Sequence, residues 1–276
     1  MAVIATPLPQ RLHNTDRIEL NRSSWQAAGL VGWWPLGAYP DARDMSIYRN
    51  DSTIVGAPVA GNVARRGLHF DGTTDQINTG PHIRGSLTGE GFFITSWLNP
   101  DSVTTSWDSH ISFRGPGGGS ISGSMIVAYR NDRQIWLYIR DDTKAYVTGK
   151  TYTGDVLTAG EWSHVAFGRE ADGTVKCYID GIQTAITGTV VGTLSSTESP
   201  GIGWDWDVSV NARWDGLLDD VRWYRRALSA NEIAAIYNQT RYGGYGDLAI
   251  QPSRFHHLPV AAAVVSKPRM TLLGVG

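Results

Sequence analysis

The chain carries one cysteine, Cys177, in 276 residues, so no intramolecular disulfide can brace it and redox chemistry leaves its compartment open. Cys177 sits in the alternating run Val175-Lys-Cys-Tyr-Ile179, where a small buried hydrophobe is expected. No stretch approaches the ~20 consecutive apolar residues of a membrane span. The opening MAVIATPLPQRLHNTDRIEL lacks the basic start and apolar run of a secretory signal. Charge is also short on one side: 24 Lys and Arg against 26 Asp and Glu give a net charge of -2, which leaves no basic field to hold nucleic acid or an anionic membrane. The expected setting is synthesis in the cytoplasm without a signal peptide, with the finished protein in a virion or released by lysis.

Catalytic signatures are equally scarce. No H-x-x-x-H helix or cysteine cluster offers a zinc site, and no G-x-S-x-G nucleophile turn occurs. Gly115-Pro-Gly-Gly-Gly119 has no G-K-[ST] after it and reads as a flexible loop, not a phosphate cradle.

What is present is β-structure. The 32 glycines and 11 tryptophans suit many tight turns around one apolar core. Leu30–Trp34, Leu68–Phe70, Gln76–Asn78, Phe92–Leu98, Trp162–Arg169 and Val175–Asp180 read as strands separated by turn residues, and Asp172-Gly173 and Asp180-Gly181 are hairpin dipeptides. Many antiparallel strands without βαβ alternation predict a sandwich. The stretch organising the rest is GLLDDVRWYRRALSANEIAAIY from Gly216 to Tyr237. Its first half alternates as a half-buried strand, and Ser229-Ala-Asn-Glu232 has capping-box spacing ahead of a short helix.

This closing run resembles that of the laminin G-like, concanavalin A-like lectin and glucanase superfamily. So, in order, do GLVGWWPLG from Gly29, RNDSTIVGAP from Arg49, GLHFDGTTDQINTG from Gly67, FFITSWLNPDS from Phe92 and GEWSHVAFGREADGTVKCYIDGIQ from Gly160. The resemblance implies an all-β, two-sheet antiparallel jelly-roll β-sandwich over residues 29–240, with one short C-terminal helix. It leaves an N-terminal arm at 1–28 and an extended C-terminal arm at 241–276. It also implies one structural calcium between the first-strand loop and the last core strand, with Asp219 at the ligand position and Asp41, Asp44 or Asp71 contributing. Asx-turns and surface ion pairs explain the same aspartates equally well.

A hydrolase on this fold needs paired carboxylates on one strand. The six glutamates, Glu19, Glu90, Glu161, Glu170, Glu198 and Glu232, are too far apart to share a strand face, so no enzyme is expected. Trp107-Asp108 and Trp204-Asp205-Trp206-Asp207 place carboxylate acceptors beside indole faces, as a glycan site does. Core packing is the competing role for Trp204. The leading expectation is a non-catalytic subunit of a larger assembly, by analogy a phage virion protein, joined to other protein subunits through 1–28 and 241–276. A free glycan-binding lectin is the alternative.

Overall fold

The computed structural model describes residues 18–50, 52–63, 65–80, 91–102, 108–113, 125–130, 134–139, 151–152, 157–186, 188–189, 200–205 and 212–250. These form two large antiparallel sheets and a separate two-stranded pair. The larger runs Ile182–Gln183, Thr174–Ile179, Ser163–Arg169, Phe92–Pro100, Asp215–Tyr224, Arg65–Asp71, Val59–Val63, with Leu30–Trp34 pairing the far half of Asp215–Tyr224. The smaller runs Thr151–Tyr152, Gln134–Ile139, Met125–Arg130, Asp108–Phe113, Gly201–Ile202, Gln76–Asn78, Thr53–Val55. Together they make the expected jelly-roll sandwich.

Period-2 alternation positions the main core. Phe92, Ile94 and Leu98 meet Val165, Phe167, Leu218 and Trp223 from their own sheet and Ile77, Ile111 and Ile202 from the other. Of the two hairpin dipeptides, Asp180 (φ 50°) and Gly181 (φ 80°) both take positive φ, the turn geometry whose twist matches the flanking strands, whereas at Asp172-Gly173 only the glycine does (φ 92°). The capping box also forms, with Glu232 N–H donating to Ser229 Oγ at 3.3 Å and Ser229 N–H to Glu232 Oε2 at 2.9 Å.

The Asp215–Tyr224 strand departs from the half-buried pattern. Nine of its ten residues are buried, including Asp219, Asp220 and Arg222. The cause is a third layer. A second apolar cluster, with Trp33, Phe93, Tyr178 and Tyr224 on the outer sheet face, is covered by Leu228, Ile233 and Ile236 of the helical segment, by Ile18, and by Tyr245 and Leu248. The polar side chains are therefore roofed over and must pair internally.

This layer also moves both domain edges. Residues 18–28 and 241–250, expected to lie in the arms, belong to the domain: Ile18, Gln26, Tyr245 and Leu248 are at most 4% exposed. Glu19 and Leu20 pair antiparallel with Ile250 and Ala249. Sparse apolar residues without a repeating period carried no sequence signal for this packing. Residues 1–17 and the expected apolar tail from Leu258 lie outside the described residues, as does Gly115–Gly119.

Candidate functional site

The loop 38–50 runs along an edge of Leu30–Trp34, the Met45 amide donating to the Trp33 carbonyl at 2.7 Å, and is fixed by one buried carboxylate. Asp44 Oδ1 accepts the amides of Trp33 (2.8 Å) and Ser46 (2.7 Å), while Oδ2 accepts the Ser46 hydroxyl (2.7 Å) and the Asn50 amide (2.8 Å) and side chain (2.5 Å). Five hydrogen bonds to one buried group tie the loop's shape to the sheet beneath it. Within it Ala42 (φ 53°) and Arg49 (φ 50°) adopt left-handed backbone, a cost persisting only where surroundings enforce it.

That loop and the incoming chain enclose an open cleft of about 240 Å³. Ile18, Leu20 and Met45 line it together with Glu19, Arg22, Arg43 and Arg49. Tyr39 closes one end: its hydroxyl donates to the Ile18 carbonyl (3.0 Å) and accepts the Ile18 amide (3.1 Å), and its ring lies 4.6 Å under the Arg43 guanidinium. Asp41 pairs with Arg43, whose hydrogen bonds hold the Asp41 carboxyl below its usual range. Between the lining residues Ser46 and Arg49, Ile47 and Tyr48 stand 54% and 45% exposed. Sequence reading missed this cleft because its walls come from segments separated by some twenty residues, neither with a motif. The exposed Ile-Tyr-Arg triplet at 47–49 was the one available signal.

The expected glycan residues are placed differently. Trp204 is 4% exposed and Asp205 7%, so neither offers an open face or edge. Trp204 lies beneath Arg213, whose guanidinium sits 6.0 Å from the indole centre, and pairs with it as an isolated bridge. The Ser112 hydroxyl donates to Asp205 Oδ1 at 2.9 Å. Asp108 is also buried, at the start of Asp108–Phe113. Trp107, Trp206 and Asp207 lie outside the described residues. At 4% exposure Trp204 leaves no open indole face for a sugar ring to stack on.

The four expected calcium ligands do not converge, and as they stand they do not fit a calcium ion. Among the described residues no group of three or more His, Cys, Asp and Glu side chains is placed to hold a metal. Asp41 faces Arg43 at the surface. Asp44 is spent on its loop. Asp71 accepts the amides of Thr73, Thr74 and Asp75 at 2.7–3.0 Å; burial would raise its carboxyl, but those amides outweigh it and hold it well below the usual range. Asp219 accepts Gly37 N–H (2.8 Å) from the first-strand loop and Arg65 Nε (2.8 Å). Burial raises the Asp219 carboxyl and the Arg65 charge opposes the rise. Where the resemblance implied a cation bridging loop and strand, a guanidinium already stands.

Among the described residues no helix is long and apolar enough to cross a membrane. A profile of the concanavalin A-like lectin/glucanases superfamily matches residues 71–234. No curated protein matches the sequence. Among solved structures, domain 4 of a GH43 extracellular arabinanase from Geobacillus stearothermophilus, in complex with arabinotriose, is 18% identical with a TM-score of 0.54. The match covers 75% of this chain and 97% of that one. The botulinum neurotoxin serotype D binding domain is 14% identical with a TM-score of 0.60, covering 78% of this chain and 53% of that one. The binding domain of Paraclostridial Mosquitocidal Protein 1 is 11% identical with a TM-score of 0.58, covering 76% and 52%. The chain thus spans the arabinanase domain and about half the length of the toxin domains.

Proposed function

Since the chain belongs to the concanavalin A-like lectin/glucanase superfamily, we propose that it is a non-catalytic, lectin-like domain whose cleft at Tyr39–Arg49 binds saccharide. The carrying observation is an exposed aromatic and aliphatic pair, Tyr48 and Ile47, beside a polar cleft, on a loop held by the five bonds of Asp44. Sugars bind where a ring face meets an apolar surface while hydrogen-bonding groups fix its edge. A rigid loop on a stable sandwich avoids much of the ordering cost of association. The arabinotriose bound to the arabinanase domain is in keeping with this use of the fold. On a glycan array the full chain retains a defined subset of saccharides, and Tyr48→Ala weakens retention without moving the melting temperature. An array on which the wild-type chain binds nothing would overturn the reading.

A second reading has its own observation. The pairing of Glu19 with Ile250 makes the chain enter and leave the described domain side by side, so residues 1–17 and 251–276 start from one place. That arrangement suits attachment of the domain, through both segments, to other subunits of a larger assembly; a virion is not required. Removing 1–17 and 251–276 together leaves both pairing strands in place and should lower the oligomer size seen by light scattering. An unchanged size would end this reading.

A further inference from the structure

We infer that the cleft selects saccharides bearing a carboxylate or a sulfate; this rests on the saccharide-binding reading above and names its ligand class. A neutral sugar edge offers hydroxyls that need acceptors as well as donors. The cleft supplies few acceptors. The Tyr39 hydroxyl is occupied on both sides by Ile18, and the Ser46 hydroxyl is committed to Asp44. The remaining polar side chains are three guanidinium groups and Glu19, and a guanidinium can only donate.

The three arginines are not equivalent. Arg43 is matched by Asp41 and stacked on Tyr39. Among the described residues Arg22 and Arg49 have no ion-pair partner; Arg49 makes one weak contact, 3.7 Å from Nη1 to the Met45 sulfur. Two forks without an ion-pair partner among the described residues match a planar or tetrahedral oxyanion carried on a sugar ring, because paired charge-assisted bonds are both stronger and more directional than neutral ones. Glu19 sets the limit on ligand charge. With one carboxylate against these two guanidinium groups, the wall suits one isolated anionic group per site better than a polyphosphate.

The experiment titrates the full chain with polygalacturonate, with keratan sulfate, whose repeat carries sulfate and no uronic acid, and with neutral arabinan, at low and at physiological salt. The expected result is binding of at least one of the two anionic polymers in preference to arabinan, weakening as salt screens the contact. Arg22→Gln and Arg49→Gln should each lower that affinity about tenfold, the size of one charge-assisted bond, and the double variant should abolish it with the melting temperature unchanged. Which polymer binds tells carboxylate from sulfate. Stronger binding to arabinan, or an unchanged affinity in the double variant, overturns the anionic preference while leaving saccharide binding intact. If none of the three polymers binds and the glycan array is also silent, the saccharide reading fails and this inference with it.

Discussion

Arg222 and Asp220, two residues apart on one strand, form a bidentate ion pair inside the protein, with Nε and Nη2 each 2.8 Å from a carboxylate oxygen and both residues at most 1% exposed. The pair is the hub of the third layer. Arg222 also donates to the Gln26 side chain (2.6 Å) and the Tyr245 carbonyl (2.9 Å), and Asp220 accepts the Trp33 indole N–H (2.9 Å). Burial opposes the Arg222 charge and Asp220 more than restores it, so the guanidinium stays protonated. Replacing Arg222 with Met strands a buried carboxylate, and the expected loss is about 3–5 kcal/mol of unfolding free energy. The double variant Arg222→Met with Asp220→Leu should lose less than the two single losses added together, because no charge is left unpaired. Urea titrations of the four proteins measure both quantities.

Two histidines make the fold acid-sensitive. His110 and His164 are wholly buried, which lowers each from an ordinary value of 6.5 to about 3. At His164 burial dominates; Asp220 pulls upward, and Arg222 and Arg65 push downward. Between pH 6.5 and 3 the unfolded chain binds protons at these sites and the folded chain does not. Stability therefore falls as pH drops through that window, by about 1.4 kcal/mol per pH unit for each histidine once the unfolded form is fully charged. The urea midpoint followed from pH 7 to 4 should show this slope. His110→Phe, which keeps an aromatic ring beside Phe167 and Trp214, should reduce it by the share of one proton. An unaltered slope would place the acid sensitivity elsewhere.

Trp204 should behave as a structural residue. With 4% of its surface exposed, Trp204→Ala is expected to cost about 3–5 kcal/mol, as large-to-small core changes do. Glycan retention by the surviving folded fraction should match the wild type, whereas Tyr48→Ala should show the reverse pattern. Melting temperature and retention measured on the same samples separate the two.

Arg65 should make the domain indifferent to calcium. Its guanidinium lies 4.8 Å from the Trp97 ring centre, pairs with Asp219 and donates to the Thr240 carbonyl (2.7 Å) at the end of the Ala230–Thr240 helix. A chelator should leave the wild-type melting temperature unchanged. Arg65→Ser leaves Asp219 without its guanidinium while Asp220 keeps Arg222, and the prediction is a lower melting temperature that millimolar calcium partly restores. A wild-type domain that loses stability on chelation would refute this account.

The sandwich was legible because alternation, hairpin dipeptides and the Ser229–Glu232 box are local signals that the fold obeys. Phe92–Pro100 shows where locality ends. Its alternating residues were read correctly as a strand, yet all nine are buried, because Trp97 is covered from the far end of the chain by Tyr237 and by Thr240, to whose hydroxyl it donates at 2.9 Å. Asp219 is a similar case. Its position in the closing strand was evident, but its partner Arg65 lies 154 residues away, and no spacing rule links the two. Trp204 shows the same limit: nothing in its Trp-Asp spacing gives the bridge to Arg213 that sets its backbone against a neighbouring segment.

The side-by-side exit of the chain ends also fixes how the domain carries load. Tension applied through both terminal segments falls on Ile18, held by the Tyr39 hydroxyl, and on the two-residue pairing of Glu19–Leu20 with Ala249–Ile250, and it pulls that pair apart from its open end, one bond at a time. A zipper of this kind yields at low force and leaves the sandwich unstretched behind it. Tethered by both ends, the protein would give up the Ile18–Leu20 wall of its cleft as the link lengthens, so that tension and ligand binding oppose each other.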